Sequence, residues 1–160
     1  MKTLKNILAK ILLPILLLTT ATNNLQGQEL NKATVENLVN SKNFVFNVRS
    51  VTSPNPLPNQ NMSGYEVRLL GDSIVTNLPY FGRVFTSMIG RPGGFNFTST
   101  KFEYKSKARK KGRWDVSIKP QDEADVREMI FSISESGYAT LQVFSNNRQP
   151  ISYGGYISVK

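Results

Sequence analysis

The densest chemistry in the chain is cationic. Lys101, Lys105, Lys107, Arg109, Lys110, Lys111 and Arg113 fall within one short stretch, opposed there only by Glu103, with Phe102, Tyr104 and Trp114 interleaved. Such a run can hold an acidic polymer or a lipid head group at Lys105, Lys107, Arg109, Lys110, Lys111 and Arg113. A nucleic-acid strand would use the same cations and stack its bases on the aromatics. The ordinary reading is a solvated hairpin whose lysines discourage edge pairing while its aromatics face a core.

Two further segments could meet a ligand. In Leu78-Pro79-Tyr80-Phe81-Gly82-Arg83, Pro79 fixes one backbone angle and Gly82 is free to take a positive φ. Together they would fold Tyr80 and Phe81 over a barrel mouth, with Arg83 as an anion-binding head and Phe85 beyond it. The alternative is a plug in which Arg83 satisfies loop carbonyls or a carboxylate. In Asn146-Asn147-Arg148-Gln149 the Asn pair suits a left-handed turn. Arg148 is then placed to bridge to an acidic residue or to the Tyr80 loop.

Catalysis has little to work with. The chain has no Cys and no His. That removes disulfides, thiolate and imidazole metal sites, a Cys nucleophile and the Ser-His-Asp arrangement. Asp122, Glu123, Asp125 and Glu128 are clustered; Asp72, Asp115 and Glu135 are scattered. A glycosidase needs two carboxyls about 5–10 Å apart across its substrate. A cluster in a turn is ordinarily just solvated, and it lacks the glycine and distal glutamate of a calcium loop. No enzyme activity, cofactor or metal is expected.

The elements that must position these groups begin after a targeting segment. Lys2, Lys5 and Lys10 precede the apolar run Ile11–Leu18, which small and polar residues follow. The run is too short to span a bilayer, which takes about 20 apolar residues. Residues 1–27 therefore read as a signal peptide cut after Ala21 or just before Gln28, and residues 28–160 as one domain. Loss of three lysines leaves 17 basic residues against 11 acidic ones, a formal +6. Export of such a chain makes nucleic acid an unexpected partner, and nothing later in it resembles a membrane span.

Leu30 to Ser41 has helical spacing, with Asn31 as cap. From Phe44 onward apolar and polar residues alternate, the period of a half-buried strand. The Pro54/Pro56/Pro58 loop (53–61) breaks the first strand from a hairpin around Gly71-Asp72. An apolar connection runs from Leu78 to Gly94. Phe95 and Phe97 start a strand that Phe102 and Tyr104 suggest continues. Trp114, Val116 and Ile118 mark the next. Residues 122–134 fit a helix, or a strand with Met129, Phe131 and Ile133 on one side; the strand is favoured. Turns at Ser136-Gly137 and Asn146-Asn147 separate the last two strands. This predicts a mainly β fold: an antiparallel meander of about eight strands, a closed or partly open barrel, with one N-terminal helix.

Leu78-Pro79-Tyr80-Phe81-Gly82-Arg83, Lys111-Gly112-Arg113-Trp114, Gly137-Tyr138-Ala139-Thr140-Leu141 and Asn147-Arg148-Gln149-Pro150-Ile151-Ser152-Tyr153-Gly154-Gly155 occur in this order. The arrangement resembles DUF4251, a family of exported proteins of Bacteroidetes-type bacteria, from about Lys32 to Lys160. The resemblance implies a lipocalin-like barrel and supplies no catalytic residue. Many exported relatives carry a lipobox Cys; without one, a periplasmic or secreted product is expected rather than a lipid-anchored one. The function expected is a non-catalytic envelope protein holding a small apolar or amphipathic ligand in or at the mouth, at Tyr80, Phe81, Arg83, Phe85 and Arg148. The alternative is a protein-interaction or envelope-surface module with a solid barrel, working through the hairpin 101–113. The sequence carries no sign of oligomeric state.

Overall fold

A computed structural model describes residues 30–52, 62–85 and 93–160. The signal segment, the 53–61 loop and residues 86–92 of the apolar connection lie outside the described residues. Helix α1 (Lys32–Asn40) begins at the expected cap: Asn31 Oδ1 accepts from the Thr34 backbone N–H at 2.9 Å. That satisfies one of the donors a first turn leaves open. Val35, Leu38 and Val39 are its buried side.

Among the described residues nine strands follow: β1 (Asn43–Thr52), β2 (Glu66–Leu70), β3 (Ile74–Leu78), β4 (Phe95–Ser99), β5 (Phe102–Arg109), β6 (Arg113–Pro120), β7 (Val126–Ser134), β8 (Tyr138–Ser145) and β9 (Ile151–Ser158). All pair antiparallel in one sheet of order β4-β3-β2-β1-β9-β8-β7-β6-β5. The fold is mainly β, and the open choice for residues 122–134 is settled as strand β7.

Strands β4 and β5 are consecutive in the chain yet stand at opposite edges. The sheet therefore curls until its edges approach without pairing, giving a half-barrel rather than a closed one. This corrects the single continuing strand expected through Phe95–Tyr104. Asp122 is the reason for the break. It accepts the Ser99 hydroxyl and the backbone N–H groups of Thr100 (3.0 Å) and Lys101 (3.2 Å). Those two N–H groups are thereby withdrawn from any ladder, and the Gln121 N–H binds the Lys101 carbonyl at 2.7 Å to complete the corner.

The inner face is filled by side chains. Phe44 and Phe46 on β1 meet Phe131 on β7 edge-to-face, with centroids 5.7 and 5.6 Å apart. These strands are three apart in the sheet, so the contact bridges the hollow of the curl. Helix α1 covers one end, where the Tyr104 hydroxyl donates to the Val39 carbonyl at 2.7 Å. At the first-to-last pairing of β1 with β9, Gly155 backs onto the Asn47 carbonyl and the Phe46 ring; a Cβ there would overlap the carbonyl.

Gly155→Ala should lower unfolding free energy by about 1–3 kcal/mol in urea titrations, the usual cost of overpacking. The hydrogen bonds to Asp122, first that from Ser99 and then that from Thr100, hold its carboxyl below the ordinary 3.8. Its contribution is therefore complete above that pH and is lost as pH falls through the lower folded value. Asp122→Asn should flatten the fall of the melting temperature below about pH 4; an unchanged acid profile would show that the corner is held by other means.

Candidate functional site

The Tyr80 segment and the Arg148 turn, far apart in sequence, meet at the end of the half-barrel opposite α1. Backbone pairing joins them: the Phe85 N–H donates to the Asn147 carbonyl (2.8 Å) and the Gln149 N–H to the Arg83 carbonyl (3.0 Å). The Tyr80 hydroxyl lies 2.7 Å from the Arg83 carbonyl and 3.0 Å from that of Gln149. Burial raises the Tyr80 pKa, so its hydroxyl stays a neutral donor. Just inside, the Tyr153 hydroxyl donates to the Pro79 carbonyl at 2.6 Å.

Arg148 is the plug of this end. It is buried, with Cζ 5.2 Å from the Tyr80 ring centroid and 4.9 Å from that of Phe95. Its Nη1 donates to the carbonyls of Gly93 and Gly94, each at 3.3 Å. Its Nε stands 3.0 Å from Asp125 Oδ2, but the N–H is not aimed along that line. The contact is an ion pair, not a hydrogen bond. Asp125 is also buried, and its other oxygen accepts Ser145 Oγ at 2.7 Å and Asn147 Nδ2 at 3.3 Å. A guanidinium suits this place because one planar group can stack on rings and donate sideways at once.

Both expectations for Arg148, a bridge to an acid and contact with the Tyr80 loop, describe one arrangement. Other expected details differ. Gly82 does not take a positive φ. It is needed because the Tyr80 ring lies against its backbone, where a Cβ would overlap the phenol. The Asn146-Asn147 turn is not left-handed either. Ser145 Oγ builds it, accepting the N–H groups of Asn147 and Arg148 at 3.0 Å each. Arg83 contributes its carbonyl, and its side chain is exposed. Phe81 packs partly buried on the core, whereas Phe85 is 68% exposed.

Sequence reasoning missed Asp125 and Phe95 as partners of Arg148. The clustered carboxylates are not merely solvated: Asp122 and Asp125 take the roles above, and Glu128 accepts Ser117 Oγ at 2.7 Å. A buried arginine demands an acid, but nothing in spacing says which. Beside the plug, Asn96, Phe97, Glu123 and Val126 help line an open hollow of about 240 Å³ at the seam of the half-barrel.

The cationic stretch forms the β5–β6 ribbon. Lys105, Lys107, Arg109, Lys110, Lys111 and Arg113 are all exposed. Lys105 pairs with Glu103 and Arg109 with Asp115, both at 2.6 Å. Trp114 and Tyr104 face the core, as the ordinary reading had it. Lys111 and Gly112 make the turn with φ of 61° each.

A family model described as "Domain of unknown function (DUF4251)" matches residues 26–157. The fold is similar to that of a crystal structure of a DUF4251 family protein from Bacteroides eggerthii DSM 20697. That likeness has a TM-score of 0.58 at 14% identity, over 80% of this chain and 87% of the other. No curated protein matches the chain.

Arg148→Met would leave Asp125 buried without its countercharge and should cost about 3–5 kcal/mol in urea unfolding. Arg148→Met combined with Asp125→Leu should recover a substantial part of that loss. A cost below about 1 kcal/mol for the single change would show that Asp125 is solvated.

Proposed function

This chain belongs to the DUF4251 family, and on that premise we propose that it is an exported, non-catalytic binding protein that works from its outer surface. The filled interior carries this reading. Phe44, Phe46, Phe131, Leu141 and Tyr153 are fully buried against one another's walls, and Arg148 occupies the end where a mouth was expected. Three hollows lined by described residues, of about 240 to 380 Å³, open to solvent. A cargo held inside, as in wide lipocalin-like barrels, would have to displace these packed side chains.

The ribbon supplies the contact. Lys107, Lys110, Lys111 and Arg113 make no ion pair among the described residues, so their charge is free to attract an anionic partner in the envelope. The Lys-rich start, short apolar run and small residues before Gln28 support export, and the lack of Cys supports a product without a lipid anchor. Among the described residues no helix is long and apolar enough to cross a membrane. The hollow beside Arg148 favours a second reading, a small polar ligand at the seam. Native mass spectrometry of protein purified from its host would reveal that ligand as a co-purifying mass.

Wild-type protein mixed with isolated envelopes should co-sediment at low salt and release as salt rises. The triple variant Lys107→Glu, Lys110→Glu, Lys111→Glu should stay in the supernatant while keeping its β-sheet circular dichroism. Equal sedimentation of variant and wild type would sink the ribbon as the contact. N-terminal sequencing of the exported product should begin at Thr22 or Gln28.

A further inference from the structure

We infer that the outer face of the half-barrel around Tyr138 and Tyr156 binds an acidic polysaccharide. This rests on the surface-binding reading above and names its ligand class. Tyr138 on β8 and Tyr156 on β9 are register partners, so their side chains stand together on the outer face. Tyr138 is 56% exposed, and no hydrogen bond engages its hydroxyl among the described residues. Arg49, which is exposed, stacks on Tyr156 with Cζ 4.8 Å from the ring centroid. The pairing of β5 with β6 and of β6 with β7 extends the same row outward through Ser134 and Arg113 to Arg109.

The tyrosine pair is a ridge between two shallow hollows. One, of about 250 Å³, is lined by Arg113, Ser132, Ser134, Tyr138 and Thr140, with the backs of Ile133 and Ala139. The other, of about 380 Å³, is lined by Asn47, Arg49, Tyr65, Glu66 and Tyr156 among others. Each thus offers an arginine, an aromatic ring and short hydroxyl or amide side chains. This is what a chain of carboxylated sugars requires. Ring faces stack on tyrosine, sugar hydroxyls exchange hydrogen bonds with Ser, Thr and Asn, and carboxylates take the guanidinium fork.

Charge decides for an acidic polymer. The carboxylates near the row are Asp115, Glu66 and Glu135. Asp115 is held by Arg109 and Glu66 by Arg68 (2.9 Å), while Glu135 lies against Gly112. Arg49 and Arg113 remain without an ion pair among the described residues, with Lys107 next to the row. A bilayer surface would instead call for apolar side chains to insert beside the cations. Of the exposed large apolar side chains, Val84 and Phe85 lie at the opposite end of the half-barrel, and on this side Val159, just past β9, is a single one rather than an insertable cluster.

The test is affinity electrophoresis of the purified protein through gels containing polygalacturonate, with neutral dextran as control. Retardation by polygalacturonate and not by dextran is expected. Tyr138→Ala with Tyr156→Ala should weaken it roughly tenfold, and Tyr138→Phe with Tyr156→Phe should largely preserve it. Thermal melts establish that each variant is folded. Unaltered retardation of the folded alanine variant would overturn the tyrosine site yet leave the surface-binding reading standing, provided ribbon charge reversal still abolishes binding. Tighter binding to phosphatidylglycerol vesicles or single-stranded DNA than to polygalacturonate would overturn the ligand class. No retention by any of these polyanions, together with no envelope sedimentation, would remove both proposals.

Discussion

Nine strands that curl without closing leave two rows of backbone donors and acceptors at the seam, and much of the structure answers that one problem. An open edge invites pairing with another chain. Here the edges are consecutive in sequence, and the chain crosses between them at Thr100 and Lys101. Asp122 takes both of those N–H groups and the Ser99 hydroxyl, so the corner is a fixed joint rather than a loose link. On the far side of the seam the β5 edge is long but carries the charged side chains of Lys105, Lys107 and Arg109, which discourage edge-to-edge pairing.

The other end of the seam uses Arg148 in place of a backbone ladder. Its guanidinium reaches the carbonyls of Gly93 and Gly94, just before the edge strand β4, while its charge is matched by Asp125 from the β6–β7 turn. One side chain from the β8–β9 turn thereby ties together both sides of the opening and the Tyr80 loop. Burying an ion pair is a weak way to add stability but a strong way to choose an arrangement, because each half is costly without the other. Lysine could supply the charge. It could not reach two carbonyls while lying flat between Tyr80 and Phe95.

These joints also mark where the sequence stops being legible. Most local features could be read: the Asn31 cap, the period-two strands from Phe44, the turns at Gly71 and Gly137, the inward set Met129, Phe131 and Ile133. Each depends on residues a few positions apart. Much of what could not be read depends on pairs separated by tens of positions. Phe95 and Phe97 fall on odd positions and Phe102 and Tyr104 on even ones, so the alternation changes phase across the corner; that shift could have marked a break, but not that Asp122 makes it. Gly82 and the Asn146-Asn147 pair were expected where they serve, but for the wrong reason. A glycine beside an aromatic and a turn beside a serine admit several geometries, and tertiary contacts choose among them. Arg148 was identifiable as a bridge; its acid was not, because four carboxylates lie close together in sequence and only the fold brings Asp125 to it.

The same division of roles explains why function belongs outside. Inner-face positions are occupied by packing, and the polar groups at the plugged end bind one another. Donors and ring faces not already engaged are those the strand alternation sends outward. A cross-strand tyrosine pair on the outer face, one ring exposed and one half-buried, contributes only about 0.2–1 kcal/mol to a sheet, and threonine or valine would satisfy the same pleat. Folding therefore gives little reason for two rings in one row, Arg49 stacked on one of them and Arg113 farther along the row to border two hollows, neither arginine having an ion pair among the described residues. Recognition of a charged, ring-bearing chain gives a reason for all four together.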